Sequence, residues 1–165
     1  MSKEPSGLVT LAARRNEEVA PVGASAWSVR GRFDGDPGAA LDAMKARVFA
    51  EGDYLWEGDE LGRPDSIDDL YEVESVQESG THSVLDVHEF ISATGEDDFG
   101  TIRPLTDAEL LAAFGTEEPS VAAFDELDKA GRLPFERRPR WSANCALLYE
   151  DDVAVELAIW GVSGD

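Results

Sequence analysis

The C-terminal segment "ANCALLYEDDVAVELAIWGV", residues 143–162, has an apolar run on each side of Asp151 and Asp152. Two apolar runs separated by two turn-forming residues are typical of a β-hairpin. The segment therefore predicts a hairpin, and we expect that hairpin to lie within an antiparallel sheet. Cys145 belongs to the first run, where a free cysteine is expected in the core.

The segments upstream alternate between strand and helix patterns. "AWSVRGRF", residues 26–33, alternates with period two and predicts a strand. Asp36 followed by Pro37 predicts a helix start, and Gly52 can end that helix. Its inner face should hold Leu41, Met44, Val48 and Phe49. Capping residues predict further short helices after Asp65 or Ser66, Thr106 and Ser120.

These elements predict a fold of the α+β class. We expect one domain over residues 25–165, with an antiparallel sheet, the C-terminal β-hairpin and three to four short helices packed on the sheet. Residues 1–24 carry scattered Pro and Gly and are predicted as a flexible N-terminal segment or an edge strand. A chain of 165 residues can bury enough surface to fold without a metal or a disulfide.

The charge of the chain narrows the classes of partner. There are 35 acidic residues against 14 Lys plus Arg, a formal net charge of −21. Such a surface repels phosphates, so we expect no direct nucleic-acid or membrane binding, and a cationic partner is favoured. The single cysteine excludes an internal disulfide and a cysteine-rich zinc site. With no membrane-length apolar run and no signal-peptide pattern, a cytoplasmic protein without a cofactor is expected.

The densest run of carboxylates lies between Glu57 and Glu78, and we call it the acidic stretch. Aromatic residues are interleaved with the acids, and this combination is typical of surfaces that cover a basic site on another protein. The residues predicted to contact such a partner are Trp56, Glu57, Asp59, Glu60, Asp65, Asp68, Asp69 and Tyr71.

Both histidines lie in "ESGTHSVLDVHEF", residues 78–90. As a strand, this segment would place His82, Asp86 and His88 on one face, because side chains alternate. A His–Asp pair can orient an imidazole for general-base catalysis or can begin a metal site, although zinc needs three or four ligands. A plain polar strand face is the alternative interpretation.

Three hypotheses of function follow. In size, acidity and irregular α+β pattern the chain is similar to many bacterial immunity proteins, although no motif accompanies the likeness. The first hypothesis is therefore an acidic protein-binding module, an immunity-type or antitoxin-type inhibitor of a basic partner. The second is a small enzyme or a ligand-binding or metal-binding domain that uses His82, Asp86 and His88. The third attributes the charge to genome composition or a salt habitat, and it predicts carboxylates spread over the whole fold.

Overall fold

The computed structural model describes residues 24–58, 62–135 and 139–164, which form a single domain with one five-stranded sheet and five α-helices. The predicted N-terminal segment, residues 1–24, lies outside the described residues apart from Ala24, which begins β1. In chain order the elements are β1 (Ala24–Arg32), α1 (Pro37–Glu51), α2 (Ile67–Tyr71), α3 (Glu74–Ser79), β2 (Glu89–Phe90), β3 (Thr101–Pro104), α4 (Asp107–Phe114), α5 (Val121–Lys129), β4 (Ser142–Glu150) and β5 (Val153–Gly164).

The C-terminal hairpin forms as predicted. β4 and β5 pair antiparallel from Ser142↔Val162 to Glu150↔Val153. Asp151 and Asp152 both have positive φ, 49° and 63°, which is the conformation of a two-residue type I′ turn. β1 adds to the other side of β5, also antiparallel.

The prediction of an antiparallel sheet is wrong, because the sheet is mixed. Its strand order is β1-β5-β4-β3-β2, and both the β4–β3 and the β3–β2 pairs are parallel. Between β3 and β4 the chain passes through α4 and α5, which return it to the end of the sheet where β3 began. A crossover of this kind makes strands parallel. Five helices also exceed the three to four predicted, because α2 and α3 are separate.

Hydrophobic clusters cover both faces of the sheet. Alternate residues of β5 point to opposite faces, so Leu157 and Ile159 join one cluster and Ala158 and Trp160 join the other. The first cluster includes the buried face of α1, and the second includes Phe124 of α5. Within the described residues, no helix is long and apolar enough to cross a membrane.

Helix α1 confirms the capping prediction. The Asp36 carboxylate accepts hydrogen bonds from the N–H groups of Gly38 and Ala39, Pro37 occupies the first turn, and Gly52 ends the helix in the left-handed conformation. The helix lies close against β1 at Gly31, where an added Cβ would come within 2.8 Å of Met44 Cγ. Glycine is therefore required there for the approach of helix and strand.

The prediction of a strand within residues 78–90 is also wrong. Only Glu89–Phe90 is a strand, whereas Val84–Asp86 forms a turn of 3₁₀-helix and His82 has a positive φ of 52°. The side chain of Ser83 caps the 3₁₀ turn by accepting from the N–H of Leu85. A local hydrogen bond of this kind competes with strand pairing, so the period-two pattern is not realised.

Candidate functional site

Asp86 lies in a buried network of hydrogen bonds. Its Oδ1 accepts from the main-chain N–H of Thr81 at 2.7 Å and from the Thr81 hydroxyl at 2.8 Å. Its Oδ2 accepts from the Ser163 hydroxyl at 2.6 Å, and the Trp27 indole donates to the same hydroxyl at 3.0 Å. The carboxylate thus joins the loop before the 3₁₀ turn to β5 and β1. Because both oxygens already accept protein donors, Asp86 has a structural position in the core.

His88 is exposed and contacts Lys45 and Tyr71. The Lys45 Nζ is 3.1 Å from His88 Nδ1, and the Tyr71 ring meets the imidazole edge-on at a centroid distance of 5.3 Å. Desolvation by its neighbours, followed by the Lys45 charge, lowers the pKa of His88, and the charge of Asp86 opposes that shift. Burial likewise lowers the pKa of Lys45, and the charges of Asp42 and Asp86 oppose that shift. The neutral imidazole can therefore accept a hydrogen bond from the ammonium.

The structure does not bring His82, Asp86 and His88 together on one face. His82 Nε2 is 3.0 Å from the carbonyl oxygen of Ser79, the last residue of α3. In the part of the chain that the structure describes, no group of three or more His, Cys, Asp or Glu side chains could hold a metal ion. The geometric basis of the second hypothesis, a shared strand face, is thus missing.

The acidic stretch presents its carboxylates to solvent but directs its aromatic side chains inward. Glu57, Asp65, Asp68 and Asp69 are exposed, whereas Asp59 and Glu60 lie outside the described residues. Trp56 is half-buried and packs on the first cluster. Tyr71 donates its hydroxyl to the Leu85 carbonyl at 2.6 Å, and burial raises the pKa of that phenol. The aromatic residues predicted as contact points are therefore engaged within the protein.

An exposed aromatic residue lies elsewhere, at Phe99. It is 66% exposed, more than any other exposed large hydrophobic residue that the structure describes, and its ring centroid is 5.4 Å from that of Trp141. We call this region the Phe99 patch: Phe99 and half-buried Trp141 with the exposed acids Glu89, Glu96 and Asp98. The Asp98 side chain accepts from the N–H of Phe99. The Glu89 N–H donates to the carbonyl of Gly100, the residue that follows Phe99.

Several basic side chains are engaged by acceptors within the protein. Arg30 pairs with Asp125 and Glu156 at 2.9 and 2.7 Å, and Arg103 pairs with Glu109 at 2.8 Å. Arg47 and Arg63 donate to main-chain carbonyls, those of Arg30 and Gly52 respectively. These contacts leave an excess of exposed carboxylates on all five helices and on β2 and β4, a spread that the third hypothesis also predicts.

An apolar cavity of about 500 Å³ opens where β3 ends, and we call it the β4-edge cavity. The first residues of α1 and α4 lie around it, together with the carboxyl ends of β2 and β3, which is the usual place for ligands in parallel sheets. Its lining residues are Pro37, Gly38, Phe90, Pro104, Leu105, Asp107, Leu110, Glu117, Cys145, Ala146, Leu147, Tyr149 and Leu157. Burial raises the pKa of the Cys145 thiol to about 12, so the thiol is protonated at neutral pH and is no nucleophile.

The sequence-based predictions include neither the Phe99 patch nor the β4-edge cavity. A signal for the first exists in "GEDDFG", residues 95–100, where one phenylalanine stands in an acidic, turn-rich segment with no apolar periodicity around it. The cavity has no local signal, because its walls come from segments far apart in the chain.

Comparison with known proteins gives no match: no family model, no curated protein and no solved structure is detectably similar to the chain.

Proposed function

We propose that this protein is a binding module for a cationic protein, an inhibitor of the immunity or antitoxin type, and that the Phe99 patch is its contact region. The observation that carries the proposal is Phe99, a phenylalanine left 66% exposed beside exposed carboxylates. Aromatic residues, phenylalanine among them, are enriched in the cores of protein interfaces. Burial of the Phe99 ring against a partner would remove apolar surface from water, which is favourable in proportion to the area buried.

Charge supports a basic partner over other classes. At a net charge of −21 the field of the protein attracts a cation and repels an anion from a distance. Within the patch, Glu89, Glu96 and Asp98 can accept from Lys or Arg, and the exposed ring of Phe99 can receive a guanidinium. Arg140, which precedes Trp141, already has an interaction within the protein.

The buried, free thiol of Cys145 is compatible with the reducing cytoplasm, where we propose that the protein acts.

A peptide selection tests the proposal and requires no identified partner. A random dodecapeptide display library is panned on the wild-type protein, with the Phe99→Ser variant as the counter-selection. Phe99 is exposed, so this variant should keep its stability within about 0.5 kcal/mol. We expect enrichment of Lys- and Arg-rich peptides that carry an apolar residue. Enrichment of acidic or neutral peptides, or of the same peptides on Phe99→Ser, would contradict the proposal.

The same selected peptide then tests the residues predicted from the sequence. The Asp68→Lys/Asp69→Lys double variant should weaken binding only through its change in net charge. Per reversed charge, we expect the loss of affinity to be smaller than in Asp98→Lys. The His82→Ala/His88→Ala double variant should bind as the wild type does. Strong loss in the Asp68/Asp69 variant would place the contact on the acidic stretch instead.

A further inference from the structure

The β4-edge cavity is a second candidate site, separate from the Phe99 patch. We propose that it binds a small organic cation, a molecule with an apolar body and one amine. The volume of about 500 Å³ lies within the range of pockets that hold drug-sized ligands. The inference is independent of the proposed protein partner, because the cavity and the Phe99 patch have no residue in common.

The apolar walls of the cavity indicate that the larger part of the ligand is apolar. Phe90, Pro104, Leu105, Leu110 and Leu157 supply apolar surface from both sheet and helix elements. Transfer of an apolar group from water onto such surface is favourable in proportion to the area buried. The body of the ligand is therefore aliphatic or aromatic.

The exposed edge of β4 offers one pair of main-chain groups. The Leu105 N–H bonds the carbonyl of Cys145 at 3.0 Å, and the Tyr149 N–H bonds the carbonyl of Pro119 at 2.8 Å. Main-chain groups alternate between the two sides of a strand, so those of Leu147 point into the gap between these two bonds. A gap of one residue is too short for an extended peptide to pair with β4. The carbonyl of Leu147 can, however, accept a hydrogen bond from the ammonium of a small ligand.

The charged groups determine the sign of the ligand. Asp107 and Glu117 line the cavity with exposed side chains, and no Lys, Arg or His is among the lining residues that the structure describes. These two carboxylates, together with the net charge of −21, repel an anionic head group and attract a cationic one. An amine therefore complements both the edge of β4 and the rim.

Three probes that share one apolar body test the proposal: 4-phenylbutylamine, 4-phenylbutan-1-ol and 4-phenylbutanoate. Titrations followed by ligand-observed NMR and by thermal shift give a dissociation constant for each. We expect saturable binding in the order amine, alcohol, carboxylate, with a gain for the amine of about two- to five-fold per rim carboxylate, the range for exposed ion pairs. Absence of saturable amine binding, or equal binding of the carboxylate, would overturn the proposal.

Two variants locate the binding. The Asp107→Asn/Glu117→Gln variant should bind the amine no better than the alcohol, while the charge-matched control Asp68→Asn/Asp69→Asn keeps the wild-type preference. Leu110→Trp should fill the cavity and weaken all three probes. Equal effects of the rim and control variants, or full binding by a folded Leu110→Trp protein, would refute this site. If Leu110→Trp does not fold, the rim and control pair decides, since its changes are at exposed side chains.

Discussion

At the scale of single residues, polar side chains predicted as functional have structural partners. The sequence predicts His82, Asp86 and His88 on one strand face, and the structure forms a 3₁₀ turn at Val84–Asp86 instead. The sequence cannot show that a serine-capped turn buries Asp86 against Ser163, a residue 77 positions away. Long-range hydrogen bonds of this kind decide between a ligand and a core carboxylate, and no local pattern encodes them.

The Asp86 network predicts a large cost for a small change. Asp86→Asn keeps the size of the side chain but replaces one acceptor oxygen with a donor, which must face the Thr81 or the Ser163 donors. A buried group left unsatisfied costs about 1–3 kcal/mol, so we expect the free energy of unfolding to fall by about 2 kcal/mol. Urea unfolding measures it. A loss no larger than that of the exposed control Asp68→Asn would show that the network contributes little.

His88 should contribute to the pH dependence of stability. Its pKa in the folded protein lies below the ordinary value of 6.5, because desolvation and the Lys45 charge, opposed by the charge of Asp86, disfavour the imidazolium. Below about pH 6.5 the unfolded chain therefore takes up a proton that the folded protein resists, and stability falls as the pH falls. The variant His88→Gln should lose less stability than wild type between pH 7.5 and 5.5. Equal losses in urea unfolding would contradict this assignment.

At the scale of elements, the sequence predicts those whose signals are local. Helix α1 has its cap, its proline and its terminal glycine within one short segment, and the β4–β5 hairpin has a two-residue turn between apolar runs. By contrast, β2 has two residues and β3 has four, too few for a readable period. Their parallel pairing depends on the path of the chain through α4 and α5, so the antiparallel prediction fails on that side of the sheet.

The turn of the hairpin offers a stabilising substitution. Asp151 and Asp152 both have positive φ, which Asn and Gly adopt more readily, and Asn-Gly is the preferred pair of a type I′ turn. Asp151→Asn/Asp152→Gly should therefore raise the free energy of unfolding by about 0.5 kcal/mol or more. Asp151→Pro, the matched control, should lower it, since proline cannot adopt a positive φ. A double variant less stable than wild type in urea would contradict this turn assignment.

At the scale of the whole molecule, the excess of carboxylates sets the response to salt. Exposed acids lie on all five helices and on β2 and β4, and their mutual repulsion opposes the compact state. Screening by added salt is effective beyond roughly 8–10 Å at about 0.1–0.15 M ionic strength. We therefore expect the melting temperature at pH 7 to rise as NaCl increases from low to physiological concentration. A melting temperature that stays flat or falls would show that local pairing already neutralises the surface.

The central claim is that the Phe99 patch binds a cationic partner. The most direct test is the association rate constant of the selected basic peptide, measured by stopped flow at several NaCl concentrations, for wild type, Asp98→Lys and the control Asp68→Lys at an exposed helical position. Both variants change the net charge equally, but only Asp98 adjoins Phe99. The account predicts that association slows with salt and slows much more in Asp98→Lys than in Asp68→Lys. Equal rates in the two variants, or association independent of salt, would contradict it.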